Sequence, residues 1–114
     1  SKVLLVGVDC SSCSDRALAY AADRAEASKA QLIVVHVIDG RLFRLNTAVN
    51  EERHKRREAE LERARTEIIE PVVSELRAKS IFARGVIRHG HPAETLCAVA
   101  EEFGATNVII GKTG

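Results

Sequence analysis

The chain has 114 residues, the length of a single domain. Its net charge of +1 argues against a protein held to nucleic acid or anionic membrane by electrostatics. No apolar run approaches the ~20 residues that a spanning helix needs, and three cysteines, an odd number, do not make a secreted disulfide framework. With no leader expected ahead of the first apolar run, composition points to a reduced, cytoplasmic, globular protein. Aromatic residues are only 4% of the chain, so Val, Leu, Ile and Ala must fill its core.

Val3 to Val8 is an unbroken apolar run. A short run without alternation reads as a strand buried on both faces, as in the middle of a parallel sheet. Asp9 closes it, followed by the small residues Cys10, Ser11 and Ser12. In open α/β sheets that C-terminal edge is where ligands bind. A helix follows. Ser12 is its expected N-cap, with Asp15 at capping-box spacing. Ala17, Leu18, Ala21, Ala22 and Ala25 form a narrow apolar face that suits close packing on a sheet, and the helix should end near Ser28.

Gln31 to Asp39 is the second strand, nearly continuous and β-branched, hence central. Residues 40–50 read as a loop with a short helical turn at 41–45. From Glu51 to Lys79 the pattern is helical, with a stripe at Leu61, Ala64, Ile68, Val72 and Leu76. The charged start of this segment reads as a solvated extension. Pro71 should kink the helix or start a new one.

Ile81 to His89 is the third strand. Arg84 and Arg88 interrupt it on one face, which suits a sheet edge. Pro92 fits the first position of the next helix. Ala93, Leu96, Ala100 and Phe103 supply its apolar face, Cys97 is expected in the core, and Gly104 ends it. Thr106 to Ile110 is the fourth strand. The β-α-β-α-β-α-β order predicts an α/β fold with a doubly wound, Rossmann-like parallel sheet. A chain that stops on two glycines just after a strand reads as a single domain lacking its last helix and strand.

Several motifs invite chemistry. Gly111-Lys112-Thr113 suggests a P-loop, but that motif needs a glycine where Thr106 stands. The intervening residues are strand and cannot cradle phosphates. Asp9 reads equally as a loop-capping carboxylate and as an acceptor for a ligand's amine or hydroxyl groups. Cys10-Ser11-Ser12-Cys13 places a C-x-x-C at a helix start, where a thiol can be activated. The absence of Trp, and prolines placed in helical contexts, weigh against a redox role. His36 reads as a satisfied core histidine. His89 and His91 bracket a turn without a second ligand pair at zinc-finger spacing.

Together these pieces resemble the universal stress protein family. Leu4 to Ser11 is similar to its first strand and Val-Asp-x-Ser turn, with Ser14, Ala17 and Leu18 continuing into the first helix. His36-Val37 is similar to the family's His-Val at the end of strand two. Gly90-x-Pro92 with Leu96 resembles its Gly-x-Pro turn. Val108 to Gly114 resembles its last strand and the first half of a Gly-x-x-Gly…Gly-Ser/Thr motif.

The resemblance implies an adenine-nucleotide-binding module with ATP or AMP, with or without Mg, as ligand. It implies that Asp9 faces adenine and ribose and that Val37 touches adenine. Gly7 and Val8 would line the floor, Ile110 the wall, and the amides of Gly111 and Gly114 would meet the phosphates. It also implies a homodimeric stress-response protein that is at most a slow ATPase, since no catalytic base or metal site is evident. The alternatives are a nucleotide-free interaction protein of the same family and a C-x-x-C thiol sensor.

Overall fold

The computed structural model describes residues 2–9, 12–39 and 51–111. Its strands are β1 (Val3–Gly7), β2 (Gln31–Asp39), β3 (Ala83–Gly90) and β4 (Asn107–Ile109). Its helices are α1 (Ser12–Ser28), α2 (Glu51–Arg63), α3 (Glu70–Ala78) and α4 (Pro92–Phe103). A π-helical segment, Ala64–Ile69, joins α2 to α3 without a break. The expected loop at residues 40–50 lies outside the described residues.

The strands form one sheet in the order β3-β2-β1-β4, and every pair is parallel. The two central strands are the two long apolar runs. Leu5, Val6, Ile33, Val34 and Val35 have no exposed surface. Complete burial of such a side chain is worth about 1.5–3 kcal/mol, so this centre dominates the fold's stability. Strands alternate their side chains, and each face of the sheet has its own core. Leu4, Val6, Leu32 and Val34 pack against α1 and the α3 region. Leu5, Ile33 and Val35 pack against Leu96 and Val99 of α4. Helices on both faces complete the doubly wound arrangement.

Helix α1 packs as its small face predicts. Ala17, Ala21, Ala22 and Ala25 are buried, and Leu18 packs beside them. The helix starts at Ser12 itself, the residue expected as its cap, a difference within the usual uncertainty of helix ends.

The long helical segment departs from its predicted stripe, for a definite reason. Ala64 and Leu76 are buried as expected, but between them the deeply buried residues are Ile69 and Val73. Ile68 and Val72, predicted for the core, are only half-buried. The step from Ala64 to Ile69 spans a π turn, whose bonds run i to i+5. The Glu70 N–H donates to the Arg65 carbonyl in that register. One extra residue per turn rotates the apolar face by one position. Pro71 explains the location. It lies in the first turn of α3, has no N–H to donate, and would crowd the carbonyl four residues back in a regular helix. The wider turn before it relieves that conflict, so Pro71 starts a new α-helix while the axis continues.

Gly85 lets this segment sit tightly on β3. A Cβ there would fall 2.2 Å from Ile69 Cγ2. The strand itself begins at Ala83, two residues later than predicted. Helix α4 begins at Pro92 and ends at Gly104, whose φ of +66° is the left-handed cap conformation. The Ala105 N–H then returns to the Ala100 carbonyl at 2.9 Å. Cys97 is exposed, contrary to its expected place in the core. The buried positions of α4 are Leu96 and Val99, with Ala100 and Phe103 packed beside them, and residue 97 faces away.

Candidate functional site

Winding reverses between β1 and β4. The chain runs outward from β1 through β2 to β3, then crosses back to place β4 on the other side of β1. Such a reversal leaves a crevice beyond the C-terminal ends of the two strands it separates. The β1–β4 register pairs Leu4 with Asn107, Leu5 with Val108 and Val6 with Ile109. Two residues further on, the chains have reached Val8 and Gly111. Asp9 and Gly111 therefore leave the sheet at one edge from neighbouring strands. Asp9 is exposed and Gly111 half-buried.

Val8 is held firmly where the chain leaves the sheet. Its N–H donates to the Val35 carbonyl at 2.8 Å. Its own carbonyl accepts from His36 Nδ1, also at 2.8 Å. A carbonyl can only accept, so Nδ1 carries the proton in this bond. His36 is the satisfied, half-buried histidine that its strand context predicts. Its partner gives it a further consequence: it fixes the main chain one residue before Asp9.

Gly7 and Val8 face opposite sides of the sheet. A Cβ on Gly7 would meet Leu96 Cδ1 at 3.3 Å on the α4 side, whereas Val8 is buried on the α1 side. Only their main chains can share one floor. Val37 is half-buried on the α4 side, near the C-terminal end of β2. Ile110 is 57% exposed. Gly114 and Lys112 lie outside the described residues, as do Cys10 and Ser11.

A hollow of about 500 Å³ opens beside the end of β4, between it and α1. Arg16, Ala17, Tyr20, Ile109, Ile110 and Gly111 line it. Arg16 was not singled out in the sequence, because a lone arginine on the polar side of a helix carries no motif. The fold brings it to the same hollow as Gly111. A larger groove lies elsewhere, along β3, away from this crevice.

Burial lowers the His89 pKa below its usual value, with help from the Arg57 charge and against the opposing pull of Glu60. His91 is exposed and does not cap α4 with its side chain. Among the described residues, no group of three His, Cys, Asp or Glu side chains is arranged to hold a metal ion. Among them too, no helix is long and apolar enough to cross a membrane.

Sheet order, winding reversal and paired strand ends define an open, doubly wound α/β protein with a crevice at its switch point. The chain belongs to the universal stress protein family, whose family model matches residues 1–114. Solved structures agree. The protein MJ0577, the subject of a structure-based assignment of biochemical function, superimposes with a TM-score of 0.86 at 26% identity, over 99% of this chain and 76% of that one. UspA from Lactobacillus plantarum gives 0.77 at 21% identity, over 99% and 78%. A universal stress protein from Archaeoglobus fulgidus, solved in complex with dAMP, gives 0.66 at 20% identity, over 96% and 80%. Comparison with curated proteins gives no significant match.

Proposed function

We propose that this protein binds an adenine nucleotide, ATP or AMP, at the crevice between β1 and β4 and acts as a regulatory module of the stress response. The observation that carries the reading is the pairing of β1 with β4 at the winding reversal, which ends Asp9 and Gly111 on one edge. The dAMP complex of a structurally similar protein supports the choice of ligand class.

In this reading the Asp9 carboxylate accepts hydrogen bonds from ribose or adenine. His36 acts as a positioning residue through the Val8 carbonyl. Gly7 and Val8 offer main-chain floor, and Val37 and Ile110 offer apolar surface to the base and the wall. The amides of Gly111 and Gly114 approach the phosphates, since glycine admits an anion close to the backbone. Arg16 in the neighbouring hollow supplies a guanidinium for a terminal phosphate. Binding is the proposed activity, with hydrolysis at most slow, in a cytoplasmic homodimer.

Isothermal titration with ATP and AMP tests the proposal. Asp9→Ala should weaken binding about tenfold or more, the usual cost of a lost hydrogen bond to a charged group. Equal affinity in that variant removes Asp9 from the site. A second reading, a nucleotide-free interaction protein, draws on the exposure of Val108 on β4 and of Ile110 just beyond it. Absence of heat with either nucleotide, together with a stable dimer in sedimentation, would favour it.

A further inference from the structure

A groove of about 750 Å³ runs along β3, the edge strand opposite β4. The α3 region walls it on one side and the end of α4 on the other. Its size falls in the range of ordinary small-molecule sites, roughly 300–1,000 Å³. Four arginines line it, Arg65, Arg77, Arg84 and Arg88, against two carboxylates, Glu70 and Glu102.

These guanidiniums are not equally compensated. Arg88 pairs with Glu102 at 3.2 Å, and Arg65 pairs with Glu62 at 3.6 Å. Arg77 donates from Nε to the Ala83 carbonyl at 3.1 Å, and Arg84 stacks over the Phe103 ring at 4.8 Å. Neither Arg77 nor Arg84 forms an ion pair among the described residues. Arg77 reaches β3 from α3, while Arg84 lies on the α4 side against Phe103. Each lip of the groove thus carries one guanidinium that forms no ion pair among the described residues, and the two meet the strand at consecutive residues.

The main chain argues against a docked strand as the occupant. The Phe82 carbonyl points inward to the Leu32 N–H, so the Ala83 and Ile87 carbonyls point out from the edge. Arg77 already occupies the first of these, and Arg88 Nη1 donates to the second at 3.1 Å. A partner strand would have to displace both. A compact polyanion needs no such displacement, because a planar guanidinium can donate to a carbonyl from one edge and to phosphate oxygens from another.

We propose that this groove is a second ligand site, for a small molecule bearing two or more phosphate groups, bridged between Arg77 and Arg84. The site shares no residue with the nucleotide crevice and stands independently of it. Sodium tripolyphosphate is the probe, titrated calorimetrically into the folded protein at low ionic strength, where charge pairing is least screened. Saturable binding is expected. Arg84→Gln, at a residue outside the core, should weaken it about tenfold, and R77Q/R84Q should abolish it. R77K/R84K keeps the charge but loses the fork, and should fall between.

K55Q/R56Q on the exposed face of α2 should leave binding unchanged. Absence of binding overturns the proposal. So does equal loss in K55Q/R56Q, which would mean diffuse attraction only. Loss in Gly111→Val with none in R77Q/R84Q would assign the probe to the nucleotide crevice instead. Backbone amide shifts along residues 83–87 with an acidic peptide, but none with tripolyphosphate, would replace the small anion by a strand.

Discussion

The two edges of the sheet are built in opposite ways. At β3 an eight-residue strand is flanked by helices on both faces, and arginines occupy the outward carbonyls of Ala83 and Ile87. At β4, a three-residue strand, Val108 is 43% exposed, and Ile110 just beyond the strand is 57% exposed. Unpaired strand edges invite other chains, and charge is the common means of discouraging them. The charged edge suits a small anion. The lesson is that edge chemistry, more than edge length, sets what each flank can accept.

The strongest way to break this contrast is to damage the packing that holds the β3 flank together. Gly85→Val places a side chain where Ile69 already sits. Overpacking of this kind costs about 1–3 kcal/mol, and urea unfolding should show the loss. If stability is unchanged, the π segment does not press on β3 as described.

A subtler probe is acid. The folded-state pKa of His89 lies below its unfolded value, so the unfolded chain binds the extra proton first. The stabilisation is present above the ordinary histidine pKa and is lost as pH falls through it towards the lower folded value. His89→Gln should flatten that part of the stability–pH profile. A profile identical to that of the unaltered protein would mean that His89 titrates as though exposed.

The Arg88–Glu102 pair closes the groove at the α4 side, and both side chains are about half exposed. A double-mutant cycle should return only about 0.2–1 kcal/mol, less in high salt. A much larger coupling would show that this flank is drier than its exposure implies.

The β4 edge should show the smallest change in folding. V108S/I110S removes exposed apolar surface and should shift stability by no more than about 0.5 kcal/mol. Its effect should fall on association, moving the sedimentation profile towards monomer. An unaltered profile would mean that Val108 and Ile110 take no part in association.

Much of this was written in the chain. Continuous apolar runs separate β1 and β2 from their helices, and the alanine face of α1 follows from its spacing. Pro92 and Gly104 marked the two ends of α4. Local rules suffice there because strand burial, helix period and capping depend on neighbours along the chain. Tertiary structure decided the rest. It placed β4 beside β1, which brings Gly111 to the edge that Asp9 leaves. It turned the α3 stripe from Ile68 and Val72 to Ile69 and Val73 through a π turn that a regular period cannot foresee. It left Cys97 in solvent, since either flank of a short apolar helix face can meet a sheet. It gathered Arg65, Arg77, Arg84 and Arg88 from separate elements around one groove. Sequence spacing records which residues share an element, but only the packed fold determines which elements share a space.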